Sequence, residues 1–192
     1  MPRANIDDRS TPGTYHVYNR GAGRRMVFLD DEDRDVFFDL LKRHLSARPS
    51  EHAYFGDRVS LLAANLLGNH FHLVLWQKQA GGIGALMALQ LREYTRHFRK
   101  RHGLGGTLFA GRYRSKRVCD AKQFRWLIAY VHDNHPSGTD YRYSTHRYCL
   151  EAEESPTWID AASALEPFGG VDGYLRYLEQ RTARTCLNAE LF

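Results

Sequence analysis

Cysteine is scarce in this chain, with Cys119, Cys149 and Cys186 in 192 residues and no Cys-x-x-Cys pair. Three cysteines are an odd number, and they lie far apart in the sequence. This argues against a disulfide framework or a zinc knuckle, and it is typical of proteins in a reducing cytoplasm. Long apolar runs are also missing, since none approaches the roughly 20 residues of a membrane span. The opening stretch, MPRANIDDRSTPG, lacks the apolar core of a signal peptide. We therefore expect a cytoplasmic protein without a membrane partner.

Acidic residues are nearly absent from residues 92–117, where nine Lys or Arg accompany the single acid Glu93. This segment carries a net charge of +8, so the rest of a chain with net charge +5 carries −3. A patch of one sign indicates a polyanionic partner, with nucleic acid first and acidic lipid second. A solvated surface would tolerate each of these charges individually, so the continuity of the patch is what favours binding.

Two apolar strands joined at Gly68-Asn69 are predicted within LLAANLLGNHFHLVLW, residues 61–76. Side chains alternate between the faces of a strand, so His70 and His72 share one face while Phe71 lies on the other. Two imidazoles on one face can bind a single metal ion. A pair of hydrogen-bonded strand histidines would have the same spacing, and both interpretations stay open from spacing alone.

A helix is predicted over residues 121–134, with Asp120 as its cap and Pro136 after its end. Its apolar stripe faces the core, and Gln123, Tyr130 and Asn134 lie together on a polar shoulder beside that stripe. Tyr130 and Asn134 are four residues apart, hence neighbours on the helix surface. His132 falls on the opposite side and is expected at the surface.

The order strand, helix, two strands, helix, strand, helix predicts an α+β fold, a ferredoxin-like antiparallel sheet with packed helices. A strand is expected over residues 111–119, with Arg112, Arg114 and Lys116 alternating onto one face. Residues 1–148 are predicted to form one domain. Residues 149–192 are predicted to form a C-terminal helical appendix and tail, with helices near 158–165 and 171–181.

Four segments, in order, resemble the REP-associated, IS200-like single-tyrosine transposases of the HUH nuclease superfamily. They are YHVYNRGAGRR, ANLLGNHFHLVLW, GTLFAGRYRSKRV and AYVHDNHP. The resemblance covers roughly residues 14–148, and TWIDAASALEPFGG is similar to the appendix of longer members. This chain departs from the family pattern at Gly68, where proline is usual, and by the extra His135 between Asn134 and Pro136.

The resemblance implies a metal-dependent single-stranded DNA endonuclease and strand transferase. It makes Tyr130 the nucleophile that forms a 5′-phosphotyrosine link, and it makes His70, His72 and Asn134 the ligands of Mg²⁺ or Mn²⁺. Tyr94, on a buried helix face, and Tyr113 are weaker candidates for the nucleophile.

The expected partners are single-stranded, REP-like DNA hairpins in a bacterial nucleoid. A monomer is favoured as the binding form, and a dimer stays open as the alternative. Basic residues from the glycine loop and from the patch are predicted to contact this DNA: Arg20, Arg24, Arg25, Arg92, Arg96, Arg99, Lys100, Arg112, Arg114, Lys116 and Arg117.

A competing interpretation is a module that has kept the fold and binds hairpin DNA without cleaving it. Another is an RNA-binding protein that uses a similar sheet. An RNA-binding sheet would need exposed aromatic residues on its face, whereas the histidine strand is apolar on both sides.

Overall fold

The computed structural model describes residues 11–46, 54–134, 141–150 and 154–189, with side chains of the last helix described as far as Arg181. Within these residues, four strands and six α-helices follow one another. The strands are β1 (Gly13–Arg20), β2 (Val59–Leu67), β3 (His70–Gln77) and β4 (Arg114–Arg117). The helices are α1 (Asp31–Leu45), α2 (Gly82–His102), α3 (Ala121–Asp133), α4 (His146–Cys149), α5 (Ala161–Leu165) and α6 (Val171–Ala189).

The strands form one antiparallel sheet in the order β2-β3-β1-β4. With the chain order β1-α1-β2-β3-α2-β4, this is the ferredoxin-like arrangement, and the predicted fold is confirmed. The strand predicted over residues 111–119 is shorter than expected, because only Arg114–Arg117 pairs with β1. The short edge strand still places Lys116 opposite His16 and Arg114 opposite Tyr18.

One face of the sheet is covered by α1 and α2. Phe71 points into this layer and contacts Phe37, with ring centroids 5.1 Å apart, and Phe37 in turn contacts Tyr94 at the same distance. Acids begin α1, where Asp30 accepts a hydrogen bond from the amide of Asp33, and bases end it. Tyr94 is fully buried and its hydroxyl donates to the carbonyl of Val27, so it cannot reach a substrate.

The opposite face carries His70 and His72 and is covered in part by α3. Asp120 caps this helix as predicted, since its carboxylate accepts from the amide of Gln123 at 2.8 Å. Asn65 of β2 donates from Nδ2 to the carbonyl of Val131 at 2.7 Å, which ties α3 to the sheet. The helix ends at Asp133, one residue earlier than predicted.

The prediction that His132 is a surface residue is wrong. Its side chain is fully buried between α3 and the C-terminal segment, where Nδ1 bonds the Tyr174 hydroxyl at 2.8 Å and Nε2 bonds Thr145 Oγ1 at 3.0 Å. The far side of α3 is covered by α6 rather than by solvent. Helical periodicity of α3 alone gives no sign of this second layer.

Residues on both sides of the predicted domain boundary share one apolar core, which includes Tyr143, Cys149 and Ile159. Ile159 also forms a bridge with Leu61 of β2. The boundary itself, between residues 148 and 149, falls inside α4 and stays a prediction. Of the C-terminal helices, α5 begins at Ala161, later than residue 158, while α6 begins at Val171 as expected.

Candidate active site on the histidine face of the sheet

The histidine face forms the floor of a cavity of about 580 Å³ between the sheet and α3. Antiparallel register sets Tyr18 opposite His72 and Arg20 opposite His70, so side chains from two strands converge there. Tyr130 and Trp126 of α3 form another wall. The described lining comprises His16, Tyr18, Asn19, Arg20, His70, His72, Ala110, Arg112, Arg114, Lys116, Trp126 and Tyr130.

Tyr130 meets the histidine pair edge-on. Its ring centroid lies 5.6 Å from that of His72, with the two planes at 79°. On its other side the ring stacks on Trp126, one helical turn earlier, at 4.9 Å and 10°. His70 and His72 are themselves 5.0 Å apart and perpendicular. Residues predicted from separate segments of the sequence, the strand histidines and the helix tyrosine, are therefore neighbours.

Both histidines are held through Nδ1. His70 Nδ1 lies 2.6 Å from Asn69 Oδ1, and His72 Nδ1 lies 2.8 Å from His16 Nε2. The Nε2 atom of His72 is buried and has no hydrogen-bond partner among the described residues. An unpaired buried nitrogen is costly unless a ligand completes it.

Burial is the main cause of the low basicity of this site. It lowers the pKa of His72 to about 3, helped by His16, His70 and Arg20, and it lowers the pKa of His70 together with Arg20. Both imidazoles are neutral at physiological pH, the form in which a ring nitrogen can ligate a metal. The donor set therefore fits a divalent ion at the two Nε2 atoms.

Asn134, the predicted third ligand, lies at the C-terminal end of α3 and is half-buried. Its side chain is outside the described cavity lining, so its role stays a prediction.

Gln123, which was predicted on the same shoulder of the helix, makes a different contact, because its Oε1 accepts a hydrogen bond from the amide of Cys119 at 3.0 Å. His135 lies outside the described residues. No group of three His, Cys, Asp or Glu that could hold a metal occurs in the described part of the chain.

Four cationic side chains line the cavity: Arg20, Arg112, Arg114 and Lys116. Its described lining contains no carboxylate, so the electrostatic potential favours a polyanion. Arg112, Arg114 and Lys116 belong to the strand predicted over residues 111–119. They share the cavity face of the sheet, as their alternation in the sequence indicated. All three line the same cavity as Tyr130 and His72.

The remaining basic residues predicted to bind DNA divide into separate groups. Arg92, Arg96 and Arg99 line a neighbouring groove of about 740 Å³ on α2, and Arg112 borders both this groove and the cavity. Lys100 lies on another side of α2, close to Arg43. Arg24 and Arg25 are exposed beyond β1 and outside the described cavity lining, and Arg117 contacts the carbonyl of Pro12.

Sequence reasoning missed His16, Tyr18, Asn19, Asn69 and Trp126 as members of the site. The alternation in YHVYNR could have found the first two, since His16, Tyr18 and Arg20 share a face of β1. Only the sheet register, however, shows that this face adjoins the histidine pair.

Gly21 is the residue directly after β1. A Cβ at this position would lie 2.1 Å from the carbonyl oxygen of Arg25, so only glycine fits the turn that leaves the cavity.

Comparison with solved structures identifies the fold. A REP-associated tyrosine transposase bound to a REP hairpin aligns with a TM-score of 0.53 and 17% identity, over 81% of this chain and 88% of that one. This chain has the fold of that transposase. A candidate transposase from Deinococcus radiodurans aligns at 21% identity with a TM-score of 0.43, over 64% of this chain and 88% of that one.

No family model matches the sequence, and no curated protein matches it. Among the described residues, no helix is long and apolar enough to cross a membrane.

Proposed function

We propose that this chain is a metal-dependent endonuclease and strand transferase, transposase-like, acting on single-stranded DNA beside a hairpin. One observation carries the proposal. The Tyr130 ring lies edge-on against His72, 5.6 Å between centroids, inside a cavity lined by four cations. A phenol beside two histidines that could hold a metal ion, in a cavity whose charge attracts anions, suits covalent cleavage of a phosphodiester.

His70 and His72 would hold Mg²⁺ or Mn²⁺ through their Nε2 atoms, with the amide oxygen of Asn134 as the third ligand. When bound, such an ion polarises the scissile phosphate and offsets charge that develops on its oxygens. Arg20, Arg112, Arg114 and Lys116 position the DNA backbone through its phosphates. Because the described lining lacks carboxylates, the cations are free to neutralise phosphate rather than pair within the protein.

The proposed chemical step is an exchange of phosphodiester bonds. Tyr130 loses its hydroxyl proton to solvent and its oxygen forms a bond to phosphorus, while the bond from phosphorus to the 3′ oxygen breaks. The departing electron pair stays on that oxygen, which takes up a proton to give a free 3′-OH. The segment of the same strand that follows the cleaved bond remains attached to Tyr130 through its 5′ phosphate, as a 5′-phosphotyrosine. The link conserves the bond energy, so a 3′-OH can reverse the step and rejoin or transfer DNA.

The proposed partner is a REP-like hairpin with a single-stranded flank, in a bacterial nucleoid, bound by one copy of the chain. The structurally similar transposase is bound to a REP hairpin. The groove on α2 adjoins the cavity at Arg112 and offers further cations to a strand that leaves the cavity. The separation of the basic residues into cavity and groove supports contact with DNA on both sides of the cleaved bond.

Cleavage of an end-labelled hairpin with single-stranded flanks tests the proposal. With Mn²⁺, the wild-type chain is expected to give a discrete shortened product on a denaturing gel, and chelation should abolish it. His72→Ala should bind the hairpin and leave it intact. Binding without cleavage by the wild-type chain, across several hairpins and both metals, would favour the non-catalytic binding module instead.

A further inference from the structure

His16 lies behind one of the two strand histidines. Its Nε2 is 2.8 Å from Nδ1 of His72, and the two rings stack with centroids 5.0 Å apart. The pairing is diagonal, because Tyr18 is the residue directly opposite His72 in the sheet and His16 precedes it by one step on the same face. Tyr18 stacks on His16, with ring centroids 4.8 Å apart, and this contact holds the His16 ring in place.

A hydrogen bond between two neutral imidazoles requires one nitrogen to donate and the other to accept. If His16 donated, the His72 proton would be on Nε2. That atom is buried and has no partner among the described residues, so a donor there would be unsatisfied. If His72 donates from Nδ1, its Nε2 keeps a lone pair, the form in which a ring nitrogen can bind a metal ion. The second arrangement costs less and leaves a metal-binding nitrogen free.

The other strand histidine has a matching support. Asn69 Oδ1 lies 2.6 Å from His70 Nδ1, and the Asn69 amide nitrogen is oriented toward the carbonyl of Arg24 at 3.5 Å, which identifies Oδ1 as the acceptor. His70 and His72 thus each have an acceptor at Nδ1, one from the turn that precedes β3 and one from the neighbouring strand β1. Second-layer acceptors of this kind set the tautomer and orientation of metal-ligating imidazoles.

We propose that His16 is a positioning residue that holds His72 as the Nδ1–H tautomer, with Nε2 directed toward the bound metal ion. The inference rests on the proposed metal site at His70 and His72. His16 acts through His72 and is not itself a ligand, since the described residues contain no group of three His, Cys, Asp or Glu arranged to hold a metal.

Two substitutions separate this role from simple packing. His16→Gln places an amide oxygen near the position of Nε2 and removes the ring, whereas His16→Phe keeps a ring against Tyr18 and removes the acceptor. Titration of the metal-free proteins with Mn²⁺ alone, followed by electron paramagnetic resonance of the free ion, gives the affinity. We expect His16→Phe to weaken Mn²⁺ binding about 10- to 100-fold, and His16→Gln to stay close to wild type.

The opposite result, in which His16→Phe keeps the wild-type Mn²⁺ affinity and His16→Gln loses it, would overturn the proposal. It would mean that His16 acts by packing. Thermal unfolding of both variants shows whether each is folded. A second measurement needs neither variant nor metal: long-range ¹H–¹⁵N spectra of wild-type imidazoles should show His72 protonated at Nδ1. Protonation at Nε2 would contradict the proposal. Failure of the metal site itself would appear differently, as no Mn²⁺ binding by the wild-type chain despite the expected tautomer.

Discussion

His72 contacts both Tyr130, its ring edge-on at 5.6 Å between centroids, and His16, hydrogen-bonded at 2.8 Å. The buried imidazole of His72 therefore connects Tyr130 to His16, which precedes His72 by 56 residues in the sequence. This relationship makes α3 and β1 two parts of one site.

Removal of two cavity cations should reduce the electrostatic part of DNA binding. Each phosphate neutralised on a single strand contributes about −0.7 to the slope of log K against log salt. Arg112→Ala with Arg114→Ala should therefore weaken binding and flatten that slope by about 1.4, measured by fluorescence anisotropy of a labelled oligonucleotide.

The matched control removes two exposed charges away from the cavity, by Lys42→Ala with Arg58→Ala. This pair should leave the salt slope nearly unchanged. Equal flattening by the two double variants would mean that net charge, and not the cavity, governs binding.

Trp126 is half exposed at the cavity and stacks on Tyr130. Stacking of a base on an aromatic ring contributes about 1–3 kcal/mol to single-strand binding. Trp126→Ala should weaken binding of a single-stranded flank by about 5- to 150-fold, and Trp126→Phe should retain most of the affinity. Trp76 is exposed outside the described cavity lining, so Trp76→Ala is the control and should have little effect.

Loss of the Asn134 amide should act on the metal rather than on DNA. Asn134→Ala is expected to raise the Mn²⁺ concentration needed for cleavage by at least about tenfold, while hairpin binding without metal stays unchanged. Asn134→Asp should retain metal dependence close to wild type. An unchanged Mn²⁺ requirement in Asn134→Ala would remove this residue from the ligand set.

His146 makes the stability of the fold depend on pH. It is buried against His132, and burial lowers its pKa to about 4. Between that value and about 6.5, the ordinary histidine pKa, the unfolded chain binds a proton that the folded chain excludes. Stability contributed by the neutral ring is therefore fully present above about 6.5 and declines as the pH falls toward 4.

Each such histidine changes the free energy of unfolding by about 1.4 kcal/mol per pH unit within this window. His146→Leu should flatten the dependence by about that amount, measured by urea unfolding at pH 5, 6 and 7.5. A slope unaltered by His146→Leu would place the acid sensitivity elsewhere.

Local pattern was sufficient to predict much of the site. Alternation predicted that His70 and His72 share a face, and helical periodicity predicted α3 with Tyr130 on its polar shoulder. These inferences depend on residues a few positions apart, where strand and helix geometry fix the side-chain direction. The fold class followed from the order of elements, since a βαββαβ sequence has few compact arrangements.

Contacts between distant segments could not be read from the sequence. His16 is one histidine in a strand, and only the register of β1 against β3 brings it to His72. Likewise, nothing in α3 indicates that Tyr174 of α6 buries His132. In both cases the partner is set by tertiary packing, which periodicity within one element does not encode.

The central claim is that Tyr130 becomes covalently attached to DNA, and mass spectrometry of the protein after reaction tests it most directly. The wild-type chain, with a single-stranded hairpin substrate and Mn²⁺, should gain the mass of the 5′-phosphorylated product, located on the peptide that contains Tyr130. Tyr130→Phe keeps the ring against Trp126 and His72, so it should fold and bind DNA but form no adduct. An adduct that persists in Tyr130→Phe, or one located on another tyrosine, would contradict the account.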